Sequence, residues 1–159
     1  MRKLLVEVAI LGTVFLSVPA YCQMGMMQGR GMMQGGGMMN MSAIRHRFVS
    51  QNGVDPIYAS RKNPLKRTAM NIGDGKRLYE RNCAACHGPT GLGNGAAGKS
   101  LNPPPANLAA FSRTRMATDG YLYWTIAEGG VPLGTAMPPF KNTLKTDEIW
   151  KIMIYLHEF

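Results

Sequence analysis

Three stretches of this chain carry helix patterns, and all three lie beyond residue 73. Ile149, Ile152, Met153 and Leu156 stand at i, i+3, i+4 and i+7, one face of a helix that starts at Thr146. Asp147 and Glu148 follow that start, where the positive end of the helix dipole favours carboxylates. A second helix is expected from Thr118, with Asp119 in its first turn, Leu122 and Ile126 on one face, and Gly129-Gly130 to stop it. A third is expected to follow Asp74 as N-cap and to carry Leu78 and Tyr79 towards Cys83. No stretch alternates apolar and polar residues as a half-buried strand does. The pattern predicts an all-α domain over residues 71–159, with three main helices. A Gly- and Pro-rich loop, Gly88 to Arg115, joins the first two. So thin a core usually needs a staple such as a metal, a disulfide or a cofactor.

Upstream the pattern changes. Arg2 and Lys3 precede a mostly apolar run, Val8 to Val18, and Val18-Pro19-Ala20 presents small residues for cleavage after Ala20 or Cys22. Residues 1–22 therefore read as an export signal. Two alternatives stay open, an uncleaved membrane anchor and a lipid on Cys22, although Tyr21 suits a lipid site poorly. Each puts the folded part outside the cytoplasm, and the bacterial periplasm is the expected compartment. Residues 23–41 read as a flexible linker. Eight Met and six Gly occupy residues 24–41, and so much Gly costs too much backbone entropy for a stable element. Clustered thioethers suit Cu(I), which is the weaker reading of this segment.

Residues 42–70 read as a basic extension in which Pro56 and Pro64 break any long helix. Charge is concentrated here. Residues 42–81 carry nine basic against three acidic side chains, while residues 82–159 carry six against five. An acidic partner or an anionic membrane surface suits such an extension, and so does a merely solvated face. Nucleic acid is not expected outside the cytoplasm.

The chemistry is written at Cys83-Ala84-Ala85-Cys86-His87. This C-x-x-C-H pattern is that of c-type haem attachment. Cys83 and Cys86 can each form a thioether to one haem, and His87, next in line, can bind its iron. A redox C-x-x-C pair would want a βαβ context, and a structural zinc site would want a second ligand pair. Neither is present, since only Cys22, His46 and His157 remain.

With these residues the chain resembles the class I monohaem c-type cytochromes. The likeness runs from Ile72 to Phe159. It rests on Gly75 to Glu80 ahead of the haem motif, Leu101 to Leu108, Gly134 to Phe140, and the terminal helix from Asp147. It implies a small cytochrome c fold around one covalently bound haem c, whose N- and C-terminal helices cross beside the haem. Gly75 would permit the close approach, with Tyr79, Trp150 or Tyr155 packing there.

Met137 is the expected second axial ligand. It stands outside the helix patterns, and Pro138 and Pro139 stiffen the backbone beside it; the resemblance points to the same residue. Met70, Met116, Met153, His46 and His157 are poorer candidates by position. His/Met ligation raises the reduction potential and leaves no open iron site, so an electron carrier between redox proteins is expected, not an enzyme. A carbonyl among Pro103–Pro105 is expected to accept the His87 ring N–H, and side chains near Trp124 and Arg113 to meet the propionates. The alternatives are a haem sensor or peroxidase-like protein with a labile sixth ligand, and a cytochrome subunit of a respiratory complex.

Overall fold

The computed structural model describes residues 40–159, and these are helical without a strand. The elements are α1 (Asn40–Asn52), α2 (Pro56–Ala59), α3 (Ala69–Asn82), α4 (Ala84–His87), α5 (Leu108–Phe111), α6 (Asp119–Glu128) and α7 (Thr146–Leu156). Single 3₁₀ turns at Ala96–Gly98 and Val131–Leu133 punctuate the loops. The expected export signal, Cys22 and the Met/Gly segment as far as residue 39 lie outside the described residues.

The three expected long helices are α3, α6 and α7. Thr118 caps α6 by accepting from the Tyr121 N–H, and Gly129 ends that helix with a positive φ of 67°. The Glu148 carboxylate accepts from the Lys145 N–H at 2.7 Å and so ties the start of α7. One start differs from expectation. Helix α3 begins at Ala69, where Thr68 accepts from the Asn71 N–H, rather than after Asp74. Asp74 lies inside the helix, paired with Arg77 and with Lys151 of α7. A good capping residue is equally at home in an ion pair, and the tertiary partner is invisible in sequence.

Helices α3 and α7 cross at Gly75. A Cβ built there would lie 2.0 Å from the Lys151 carbonyl oxygen and 3.0 Å from the Tyr155 Cβ. Only a residue without a side chain lets the two backbones approach so closely. Tyr79 is wholly buried one turn on, with its ring centroid 5.5 Å from that of Tyr155 and 5.2 Å from that of Phe159. Trp150 faces elsewhere and packs on Tyr123, with centroids 4.4 Å apart. The apolar stripe of α7, Ile149, Ile152, Met153 and Leu156, is buried as its spacing predicts. Burying each such side chain contributes about 1.5–3 kcal/mol before entropy is subtracted.

The basic extension also packs on this core. Helix α1 lays Phe48 on Trp124, with ring centroids 5.9 Å apart, and Arg45 over the same ring at 4.7 Å. Tyr58 of α2 is buried against Tyr123, and its hydroxyl donates to Glu128. A Cβ on Gly120 would collide with the Tyr58 carbonyl oxygen at 2.4 Å, so α2 sits tightly on the first turn of α6.

Candidate functional site

The haem motif begins where α3 ends. The Cys83 N–H closes α3 on the Tyr79 carbonyl at 2.8 Å, and the Cys83 carbonyl accepts from the Cys86 and His87 N–H groups to form the single turn of α4. Gly88, at φ 79°, leaves that turn. A Cβ there would strike the Asn94 Oδ1 at 2.1 Å. The following loop is tied back to the motif: Gly93 N–H donates to the His87 carbonyl and Gly95 N–H to the Cys86 carbonyl. The Tyr79 hydroxyl donates to the Gly88 carbonyl at 2.7 Å.

His87 is buried. Its Nδ1 lies 3.0 Å from the Ala106 carbonyl oxygen. A carbonyl can only accept, so Nδ1 carries the proton, which leaves the Nε2 lone pair free for a ligand bond. Burial pushes the imidazole pKa down and the carbonyl partly offsets that, so the ring is neutral, as a metal ligand must be. The acceptor is Ala106 rather than one of Pro103–Pro105. The Pro105 and Ala106 carbonyls both lie close to Gly93, where a Cβ would meet them at 2.5 and 3.2 Å.

The opposite side is built from the end of α6. Gly129 and Gly130 let the segment around Met137 lie directly against it, since a Cβ on Gly129 would approach the Met137 carbonyl oxygen to 2.6 Å. The Gly130 N–H donates to that carbonyl at 2.8 Å. Phe140 and Lys141 donate to the free carbonyls of Ile126 and Ala127, satisfying acceptors that a helix C-terminus always leaves over.

Between the two sides is a cavity with about 1060 Å³ between its lining atoms, part of it open to solvent. Cys83, Cys86, His87 and Met137 all line it, among apolar residues that include Leu101, Phe111, Ile126 and Leu156. The structure therefore brings all four expected site residues to one space. The competing ligands are elsewhere: Met70, His46 and His157 are exposed, Met153 is core, and Met116 does not line the cavity. Burial pushes the Cys83 thiol up to about 12, with the neighbouring Cys86 adding to the shift. An un-ionised thiol is a poor metal ligand or redox nucleophile. Among the described residues no cluster of three His, Cys, Asp or Glu could hold a metal ion. A wide, mostly apolar cavity lined by two thiols and a neutral imidazole fits a macrocycle with a metal at its centre. It fits no bare ion.

Neither Arg113 nor Trp124 lines the cavity. Arg113 is exposed and donates to the Phe159 carbonyl, and Trp124 is enclosed by Phe48, Arg45 and Tyr121 without lining the cavity. The charged residue that does line it is Arg45 of α1. Nothing in the sequence around Arg45 marks it, because its role depends on α1 folding back over residues some 80 positions away.

Residues 71–156 match the family model described as cytochrome C oxidase, cbb3-type, subunit III. The chain belongs to this family of c-type cytochrome domains. Residues 71–156 are accordingly a domain of a family that binds haem c and transfers electrons, in agreement with the class I cytochrome c likeness of its motifs. No curated protein matches the sequence. Among solved structures it is similar to a chain of the Kuenenia stuttgartiensis reducing HAO-like protein complex. The two share 28% identity at a TM-score of 0.51, over 60% of this chain and 46% of that one. Another similar structure is cytochrome CL from Methylophaga aminisulfidivorans, with 22% identity and a TM-score of 0.43 over 70% of this chain and 63% of that one. The cytochrome domain thus spans less than two thirds of either chain. Helix α1, α2 and their link to α3 precede the family match.

Proposed function

We propose that the protein is an exported monohaem c-type cytochrome that carries single electrons between redox partners and is not an enzyme. The observation that carries this reading is the convergence of Cys83, Cys86, His87 and Met137 on one cavity. Cys83 and Cys86 would hold the haem by thioethers, with His87 and Met137 as axial ligands. Bound there, the haem supplies a one-electron iron couple. The chain supplies the rest. The Ala106 carbonyl fixes the tautomer and orientation of His87. The Gly130 N–H and the Pro138-Pro139 backbone hold Met137 in place. A neutral thioether favours the reduced iron more than a second imidazole would, which raises the potential. The lining is mostly apolar, and ligation by both His87 and Met137 would leave no open iron position for oxygen or peroxide. The basic start and apolar run of residues 2–18 support export to the periplasm.

Carbon monoxide tests the carrier reading against a sensor or peroxidase-like one. The native reduced protein should not take up carbon monoxide at neutral pH. Ready binding would show a labile sixth ligand and overturn the carrier assignment.

A second reading has its own support. The matching family is described as an oxidase subunit, and the Kuenenia neighbour belongs to a protein complex. The chain would then serve as the cytochrome subunit of a respiratory complex, with its basic extension as a docking arm. Size measurement in mild detergent extracts of the native membrane separates the two: a free carrier runs as the single chain, a subunit with its assembly.

A further inference from the structure

One corner of the haem cavity is polar, and the extension provides it. Arg45 is only 7% exposed. Its Nη2 donates to the Gly129 carbonyl and its guanidinium lies over Trp124, but Nη1 is buried with no hydrogen-bond partner. Among the described side chains two other buried polar atoms lack partners, the hydroxyls of Thr125 and Thr135. Arg45 and Thr125 both line the cavity. The Thr135 hydroxyl and Arg45 Nη2 flank the same glycine: a Cβ on Gly130 would lie 1.8 Å from the first and 3.3 Å from the second.

None of the ion pairs among the described residues involves Arg45. The nearby Glu128 is engaged by Tyr58 and Lys141. A buried cation with a free donor, with one free hydroxyl near it and another on the same cavity, lacks an acceptor with negative charge. The carboxylates at the edge of a haem are such acceptors. We propose that Arg45, with Thr125 on the same cavity and Thr135 near the guanidinium, is the binding site for one haem propionate. The inference rests on the haem reading above and adds to it. The group that neutralises the propionate comes from α1, which lies outside the family match. With that negative charge paired, the iron is reduced more easily, so the extension raises the reduction potential.

The test is a spectroelectrochemical titration of the purified holoprotein beside its Arg45→Gln and Arg47→Gln variants. Arg47 is on the same helix but exposed, so it controls for the loss of one distant charge. Arg45→Gln should keep covalent, low-spin haem and show a clearly larger fall in potential than Arg47→Gln. Equal shifts would overturn the proposal, since a purely structural Arg45 bound to Gly129 and Trp124 would change melting temperature and not potential. If Arg45→Gln does not accumulate as holoprotein, the near-isosteric Thr125→Val/Thr135→Val pair decides. A fall in potential supports the site, and an unmoved potential overturns it. A wild type without haem would overturn the parent reading and this one together, whereas haem with unmoved potentials overturns this one alone.

Discussion

Gly75 shows how much a single hydrogen can decide. Its missing side chain is what lets α3 and α7 cross, because a Cβ would sit 2.0 Å from a backbone oxygen that cannot rotate away. Overpacking a core costs about 1–3 kcal/mol, and Gly75→Ala should fall at the upper end. Thermal unfolding followed by circular dichroism checks this; an unchanged midpoint would mean that the helices part freely. Cys83 and Cys86 carry a chemical prediction at the same scale. Haem should stay with the wild-type polypeptide through acid–acetone extraction and leave a Cys83→Ala/Cys86→Ala variant. These residues, with His87, were legible in the sequence because the chemistry needs them within five consecutive positions. The place of Met137 outside the helices was legible because two prolines and the end of a helix frame it, and it lines the cavity. Ala106 could not be singled out, since adjacent carbonyls of a loop differ only in where the folded chain points them.

At the scale of elements, the periodic helices were readable and the docked ones were not. Helix α6 starts where its Thr118 cap predicts and α7 at Thr146, ahead of the two carboxylates of its first turn, because both signals are local chemistry. Helix α1 carries no broad apolar stripe. It is held through Phe48, Arg45 and Val49, of which only Arg45 is buried, so its stability comes from Trp124 rather than from its own pattern. Phe48→Ala should therefore cost about 1–2 kcal/mol through the lost stack, measured by denaturant unfolding; no change would show that α1 is not docked in solution. Helix α2 depends on charge. Lys141 first, and the Tyr58 hydroxyl second, hold the Glu128 carboxyl below the usual carboxylate range. A depressed carboxyl contributes stability above its unfolded pKa of about 4.3 and loses it as pH falls through the lower folded value. Acidification below that point should destabilise the wild type more steeply than Glu128→Gln. Parallel pH profiles of the two would contradict the coupling.

For the whole molecule, one cavity joins what the sequence holds apart. The haem motif, the Met137 segment and the extension lie up to 92 positions from one another along the chain, from Arg45 to Met137, yet residues from all three line it. The basic extension therefore has two faces: Arg45 turned into the haem cavity, and Arg47 left to solvent or a partner. That division follows from the winding of α1, which charge counting along the sequence cannot resolve. The central claim is that His87 and Met137 close the two faces of a single haem. An optical spectrum of the purified protein, oxidised and reduced, beside a Met137→Ala variant tests it most directly. The account predicts low-spin haem c in the wild type with the weak far-red band of thioether ligation to ferric iron, and loss of that band in the variant. A high-spin wild type, or a variant with an unchanged spectrum, would contradict it.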